Sequence, residues 1–337
     1  MRGAALAAAV VSAWCFGFSG TAAKFVGEIG LTPLQAVWVR MAGAAVLLAV
    51  ILAVVRPSAL RVPRGQGPFF AVYALVAVAG VQALFFLAIT RLPVGVVLLL
   101  EYSSPVMVVL WVRFVRRLRL PRAAYGGAAI VVAGLCVVVE VWHGLALDGI
   151  GLTLGLVAAA CCAGYFLMSD AYSADVEPVG LITWGLAGAA LVLTPLASPW
   201  QIPWASFGDA VTLSGLTVPA MLPTVVLIAV ATVVAYVTGV YAVRRLSAAI
   251  GSTFASLEVV TGSVVAWFLL REHLGVPQIV GGAIVLGGAL LAQSATAGVS
   301  RTTEVPAAQR ASSPAESTAL SRSLASRARA AATEGDA

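Results

Sequence analysis

The stretch MAGAAVLL at residues 41–48 returns as LAGAALVL at residues 186–193, an offset of 145, and each copy follows a proline, Pro33 and Pro178. The same doubling continues along the chain. RLPVG at 91–95 matches RLSAA at 245–249, and GAAIVVAG at 127–134 matches GGAIVLGG at 281–288, both at an offset of 154. Nearer the start, Cys15, Gly17 and Phe18 fall on Cys162, Gly164 and Tyr165 at an offset of 147. Apolar segments resemble one another by chance, so a single match carries little. Ordered matches with one slowly rising offset define an internal repeat, and the longer connection at 198–217 absorbs the change of offset.

The medium in which this repeat folds follows from composition. Hydrophobic residues make up 61% of the 337 and charged residues only 10%, with a mean hydropathy of +1.01, whereas soluble domains carry about 25% charged residues. Runs of about 19–24 apolar residues are long enough to cross a bilayer as helices. They lie at about 4–23, 33–55, 69–89, 94–112, 123–141, 150–169, 178–197, 218–240, 247–270 and 275–293. The predicted fold is an all-α integral membrane protein of ten transmembrane helices, arranged as two five-helix repeats over 1–141 and 149–294, with a disordered tail over 295–337. Five is odd, so the second repeat is expected to enter the membrane from the opposite side, giving an inverted repeat. Most cations lie in loops on one side or in the tail; only Lys24, Arg91 and Arg271 fall on the other, and Arg40 lies within a span. The positive-inside bias therefore predicts that both termini face the cytoplasm.

Several functional classes lose support at this level. A spanning β-barrel requires short alternating segments, which do not occur here. The pI near 9.5 reflects loop and tail arginines facing anionic lipid rather than a nucleic-acid surface. Cys15, Cys136, Cys161 and Cys162 fall inside predicted helices without metal-ligand or disulfide spacing and read as small packing residues. The glycines of 126–134 and 281–288 lack the Lys-Ser/Thr of a phosphate loop and read as helix-packing positions. His143 and His273 are isolated loop residues, and no grouping resembles a nucleophilic triad. No cofactor and no metal are expected.

An ionisable side chain deep in a transmembrane helix costs about 2.5–3.5 kcal/mol on insertion scales and faces a partner or a wet cavity. Three residues meet that description: Glu101 in the fourth run, Glu258 in the ninth and Arg40 in the second. The fourth and ninth runs are repeat mates. The two glutamates are three positions out of register, close to one helical turn, so both can face one central cavity. They read either as a site for a proton or a cationic amine, or as ion-pair partners of Arg40. Gln82 and Tyr236 occupy matched positions at the offset of 154 and are expected to hydrogen-bond a substrate or a neighbouring helix. Trp14 and Tyr165 lie mid-helix as candidate cavity-lining residues, whereas Trp142, Trp200 and Trp204 read as an interfacial belt.

These residues also carry a resemblance. Ala13-Trp14 followed by Gly17 and Lys24, Arg40-x-x-Gly-Ala, Tyr236 followed by Ala242-x-Arg-Arg-Leu246, Leu257-Glu258, and Glu272 before a glycine-rich last helix resemble an EamA-type member of the drug/metabolite transporter superfamily over residues 4–293, most similar to its amino-acid and metabolite exporters. The resemblance implies a secondary transporter in the cell membrane that moves a small-molecule substrate by alternating access, with protons as a candidate coupling ion. In one respect the sequence departs from it: the position matching Glu272 in the first repeat is Leu118, in an arginine-rich loop. The alternative reading is an intramembrane enzyme or a non-transporting scaffold.

Overall fold

The computed structural model describes residues 2–61, 66–117, 119–140, 147–171, 177–243 and 248–310. Leu118, Trp142, His143, Arg244, Arg245 and the tail beyond 310 lie outside the described residues.

The chain forms helices almost throughout. In order they are α1 (Arg2–Gly27), α2 (Pro33–Val55), α3 (Gly67–Ala88), α4 (Val94–Phe114), α5 (Arg122–Val139), α6 (Gly149–Ala171), α7 (Pro178–Ala197), α8 (Met221–Ala242), α9 (Ala248–Leu270) and α10 (Val276–Arg310). Among the described residues, nine helices are long and apolar enough to cross a membrane; α9 contributes the shorter apolar stretch Leu257–Leu270. Their outward faces are apolar too. Val54 is 81% exposed, Phe268 76% and Leu191 75%, a surface that suits hydrocarbon and not water. Helical winding bonds most backbone groups of a span within the span itself, as hydrocarbon requires.

Local sequence explains where helices begin. Thr32 caps α2 through a reciprocal pair: its hydroxyl accepts from the Gln35 N–H at 3.2 Å and the Gln35 side-chain oxygen accepts from the Thr32 N–H at 2.9 Å, with Pro33 in the first turn. This capping box satisfies two donors that a helix start otherwise leaves open.

Three departures from the sequence-based expectation have physical causes. First, α4 is not one helix but two, Val94–Glu101 and Ser104–Phe114. Pro105 has no N–H to give the Glu101 carbonyl one turn back, so the ladder breaks at Tyr102–Ser103. Second, the connection 198–217 is not wholly irregular. It holds 3₁₀ turns at Pro199–Gln201 and Trp204–Gly208, then an antiparallel hairpin of β1 (Ala210–Leu213) and β2 (Leu216–Pro219). Ser214 and Gly215 turn it with φ of 54° and 82°, the left-handed pair a two-residue hairpin loop requires. The Ser214 hydroxyl donates to the Leu270 carbonyl at 2.9 Å and pins the hairpin to the end of α9. Third, α10 runs to Arg310, past the tail boundary expected at 295.

Helix packing follows the repeat. The α1 helix lies against α8 and α9, and its mate α6 lies against α3 and α4. On α1, Gly17 lets the backbone approach α9 closely, since a Cβ there would lie 2.5 Å from the Thr261 hydroxyl and 2.9 Å from the Gly262 nitrogen. The α5 and α10 helices run antiparallel through four glycines. A Cβ on Gly127 would meet the Gly288 carbonyl at 2.7 Å, and one on Gly134 would meet the Gly281 carbonyl at 2.9 Å. These glycines therefore serve close packing, as expected from their spacing. Between α2 and α7, the Trp38 indole N–H donates to the Thr194 hydroxyl at 3.0 Å, joining the start of one helix to the end of the other.

Candidate functional site

A second relation between the repeats appears in α3 and α8. Each departs from α-helical winding into a π-helical stretch, Tyr73–Gly80 in α3 and Val226–Val234 in α8. Their ends differ by 153 and 154 residues, close to the repeat offset. A π stretch shifts the hydrogen-bond register and turns backbone groups toward other partners, and such stretches concentrate at functional sites.

Arg40 lies between the π stretch of α8 and the turn of α3 that follows its own. It projects from α2, is 1% exposed, and is held on three sides. Its Nε donates to the Thr232 hydroxyl at 2.8 Å, one terminal nitrogen donates to the Ala231 carbonyl at 3.2 Å, and the other donates to the Gln82 side-chain oxygen. The Thr232 hydroxyl in turn donates a hydrogen bond to the Leu227 carbonyl, five residues back, at 2.8 Å. The guanidinium also lies 5.7 Å from the centre of the Phe86 ring, within cation–π range. Gln82 is thus a partner of Arg40. The ion pair of Arg40 with Glu101 or Glu258, one of the two readings of the sequence, is not among the contacts of the described residues. Neutral dipoles solvate the charge instead: Thr232 and Ala231 in the π stretch of α8, and Gln82 just beyond that of α3.

Glu101 sits at the break in α4, and its carboxylate accepts a hydrogen bond from the Cys162 thiol on α6. Cys162, read from the sequence as a packing residue, is therefore a partner of this half-buried carboxylate. Glu258 on α9 lies within electrostatic reach of Glu101 and Arg40. Tyr102, in the break itself, and Tyr236 on α8 interact electrostatically with both glutamates.

Beside this group runs a narrow crevice lined by Tyr73, Val78, Tyr165, Ile182, Leu186 and Tyr236, closed to the point that it leaves no room for a water molecule. The Tyr73 and Tyr165 rings are 6.0 Å apart, tilted by 41°, and Tyr236 meets Phe16 edge-on at 5.0 Å. Tyr165 and Tyr236 are thus brought together. Trp14 is not: it is 47% exposed and on the accessible surface of α1. Trp200 and Trp204, at 69% and 55%, are exposed as a belt position requires.

Sequence reasoning missed Tyr73, Tyr102, Thr232 and the role of Cys162. One signal was available: Pro105 stands four residues after Glu101, the spacing that frees a carbonyl next to the acid. For Tyr73 and Thr232 no such signal exists, because neither π stretch is marked by a residue type.

At one end of the bundle, Lys24 at the close of α1 pairs with Glu272 after α9, and the other Glu272 oxygen accepts from the Val94 N–H at 2.9 Å, capping α4. The resemblance to a family quoted both residues, and the structure joins them.

A polytopic bundle with a buried charged centre between two repeats is the architecture of membrane carriers, and the comparisons agree. The profile of the EamA-like transporter family matches residues 3–140 and again 149–293. The chain belongs to the EamA-like transporter family; it is a multi-pass membrane protein of a family of transporters. No curated protein matches the sequence. A solved crystal structure is similar in fold, with 20% sequence identity and a TM-score of 0.57 over 87% of this chain and 98% of that one.

Proposed function

We propose that this protein is a secondary transporter of the cell membrane that exports amino acids or similar small polar metabolites by alternating access, with proton entry as the driving reaction. Ten spans form two inverted five-helix repeats with both termini cytoplasmic. The antiparallel contacts of the mated pairs α5/α10 and α2/α7 support this arrangement, because a two-fold axis perpendicular to a pair of mated helices reverses their direction. Substrate sites in such proteins lie near the midplane at the repeat interface and use discontinuous helices.

The observation that carries the reading is the placement of Glu101 at the break of α4, within electrostatic reach of Glu258 on the mated helix α9. A carboxylate pair inside the membrane, flanked by freed backbone groups, holds either a proton or a substrate amine. Competition between the two couples export to proton entry. In proteoliposomes with an imposed pH gradient, Glu258→Gln and Glu101→Gln insert normally and lose gradient-driven flux, while substrate exchange without a gradient continues. Parental pumping by both variants would remove the carboxylates from the coupling.

A further inference from the structure

The charge balance of the buried centre bears on what it holds. Arg40 supplies its positive charge, and its donors go to Thr232, Ala231 and Gln82, with its face toward Phe86. Three of the five guanidinium N–H donors are thus given to the protein, and the side chain is 1% exposed. Glu101 and Glu258 have no cation within ion-pair distance among the described residues. With both ionised, the centre carries two negative charges against one positive, an excess that a monocation neutralises and an anion worsens.

The surroundings give that cation a shape. Cys162, the hydrogen-bond partner of Glu101, precedes Tyr165 by three residues on α6, so the two share a helix face. From the carboxylate, one turn along α6 leads into the crevice of Tyr73, Tyr165 and Tyr236, closed by Ile182 and Leu186. Aromatic faces attract ammonium groups and accept flat apolar bodies equally well. A second observation stands beside Glu101. Ser103, in the same break of α4, is 3% exposed and its hydroxyl has no hydrogen-bond partner among the described residues. Buried hydroxyls are ordinarily partnered, and an orphan at a functional break points to a group that arrives with a ligand.

We propose that the centre binds an organic monocation: a primary amine with an aromatic or bulky apolar body, its ammonium held between Glu101 and Glu258 and its body among the tyrosine rings. This rests on the transporter reading and narrows its substrate class. Zwitterionic amino acids bind more weakly, because Arg40 is not available to their carboxylate, and organic acids do not bind.

Three ligands with the same ring and nearly the same chain isolate charge: tryptamine, tryptophan and indole-3-propionate. With the purified full chain in nanodiscs, bound tritiated tryptamine is displaced by unlabelled tryptamine at concentrations about tenfold below those needed for tryptophan, and indole-3-propionate does not compete. Tyr165→Phe keeps this binding and Tyr165→Ala weakens it about tenfold. Ser103→Ala moves two readouts in opposite directions, raising the apparent melting temperature of the free protein while weakening tryptamine binding. Equal or better competition by tryptophan or the acid overturns the inference, as does absence of tryptamine binding to the folded parent. The two readings fail separately: gradient-driven tryptophan flux with tryptamine inert sinks this one alone, whereas tight tryptamine binding with no flux of any solute sinks the transporter reading alone.

Discussion

The Nε of Arg40 donates to the Thr232 hydroxyl at 2.8 Å, and Thr232 lies within the π-helical stretch of α8. Through Gln82 the same guanidinium reaches α3 just beyond its own π stretch. One buried arginine thus ties together the two mated helices that carry irregular winding. An ionised group in such a place persists only where dipoles replace its water, and the π stretch of α8 supplies two of them.

Replacing Arg40 with Ala leaves the Gln82 oxygen and the Ala231 carbonyl without their donor. The expected loss of stability is on the order of 3 kcal/mol. Arg40→Lys retains the charge but not the planar fork, and falls between parent and Ala. Apparent melting in detergent, followed by tryptophan fluorescence, checks the order. A parental midpoint for Arg40→Ala would show that the crosslink contributes nothing.

The glycine contacts of α5 and α10 predict a contrast within one pair of helices. A Cβ on Gly281 would lie 2.7 Å from the Val138 nitrogen and 2.8 Å from the Gly134 carbonyl, backbone atoms that yield only if a helix moves. Gly281→Ala is expected to destabilise by about 1–3 kcal/mol. At Gly126 nothing lies within 4 Å, so Gly126→Ala gains about 0.5–1 kcal/mol from helix propensity alone. Thermal unfolding of the two variants side by side decides it, and equal behaviour would disprove the tight antiparallel packing.

Restoring the missing donor in α4 tests the origin of its break. Pro105→Ala returns an N–H to the Glu101 carbonyl and lets the helix close through Tyr102 and Ser103. The variant should melt higher than the parent and transport more slowly, because the closed ladder removes the freed carbonyl from the site. Unchanged flux and unchanged melting together would mean that the break has another cause.

Topology is checked with single cysteines in a background where Cys15, Cys136, Cys161 and Cys162 are replaced. Arg61 and Asp209 are both exposed, and cysteines placed there should react with an impermeant maleimide from opposite sides of the membrane. Labelling from the same side would contradict the proposed span count or the inversion.

The membrane environment, the repeat and the acidic positions of the site were legible without coordinates, each for a local reason. A run of about 20 apolar residues has one physical solution in lipid. An offset between similar segments is a property of the string, and a glutamate inside such a run is conspicuous because burial is costly.

What the chain by itself could not reveal depends on relations across long separations. Whether Arg40 meets a glutamate or a set of neutral dipoles is decided by residues 42 and 192 positions away, Gln82 and Thr232. The π stretches of α3 and α8 lie in Val/Ala-rich sequence with no residue type that marks irregular winding. The outward position of Trp14 and the thiol contact of Glu101 with Cys162 likewise follow from which helix faces meet. Local sequence therefore determined the spans and the presence of buried charge, through the cost of exposing polar backbone and ionised groups to hydrocarbon. Tertiary structure decided the partners of each charge, because partnership is a matter of distance in space and the sequence records only distance along the chain.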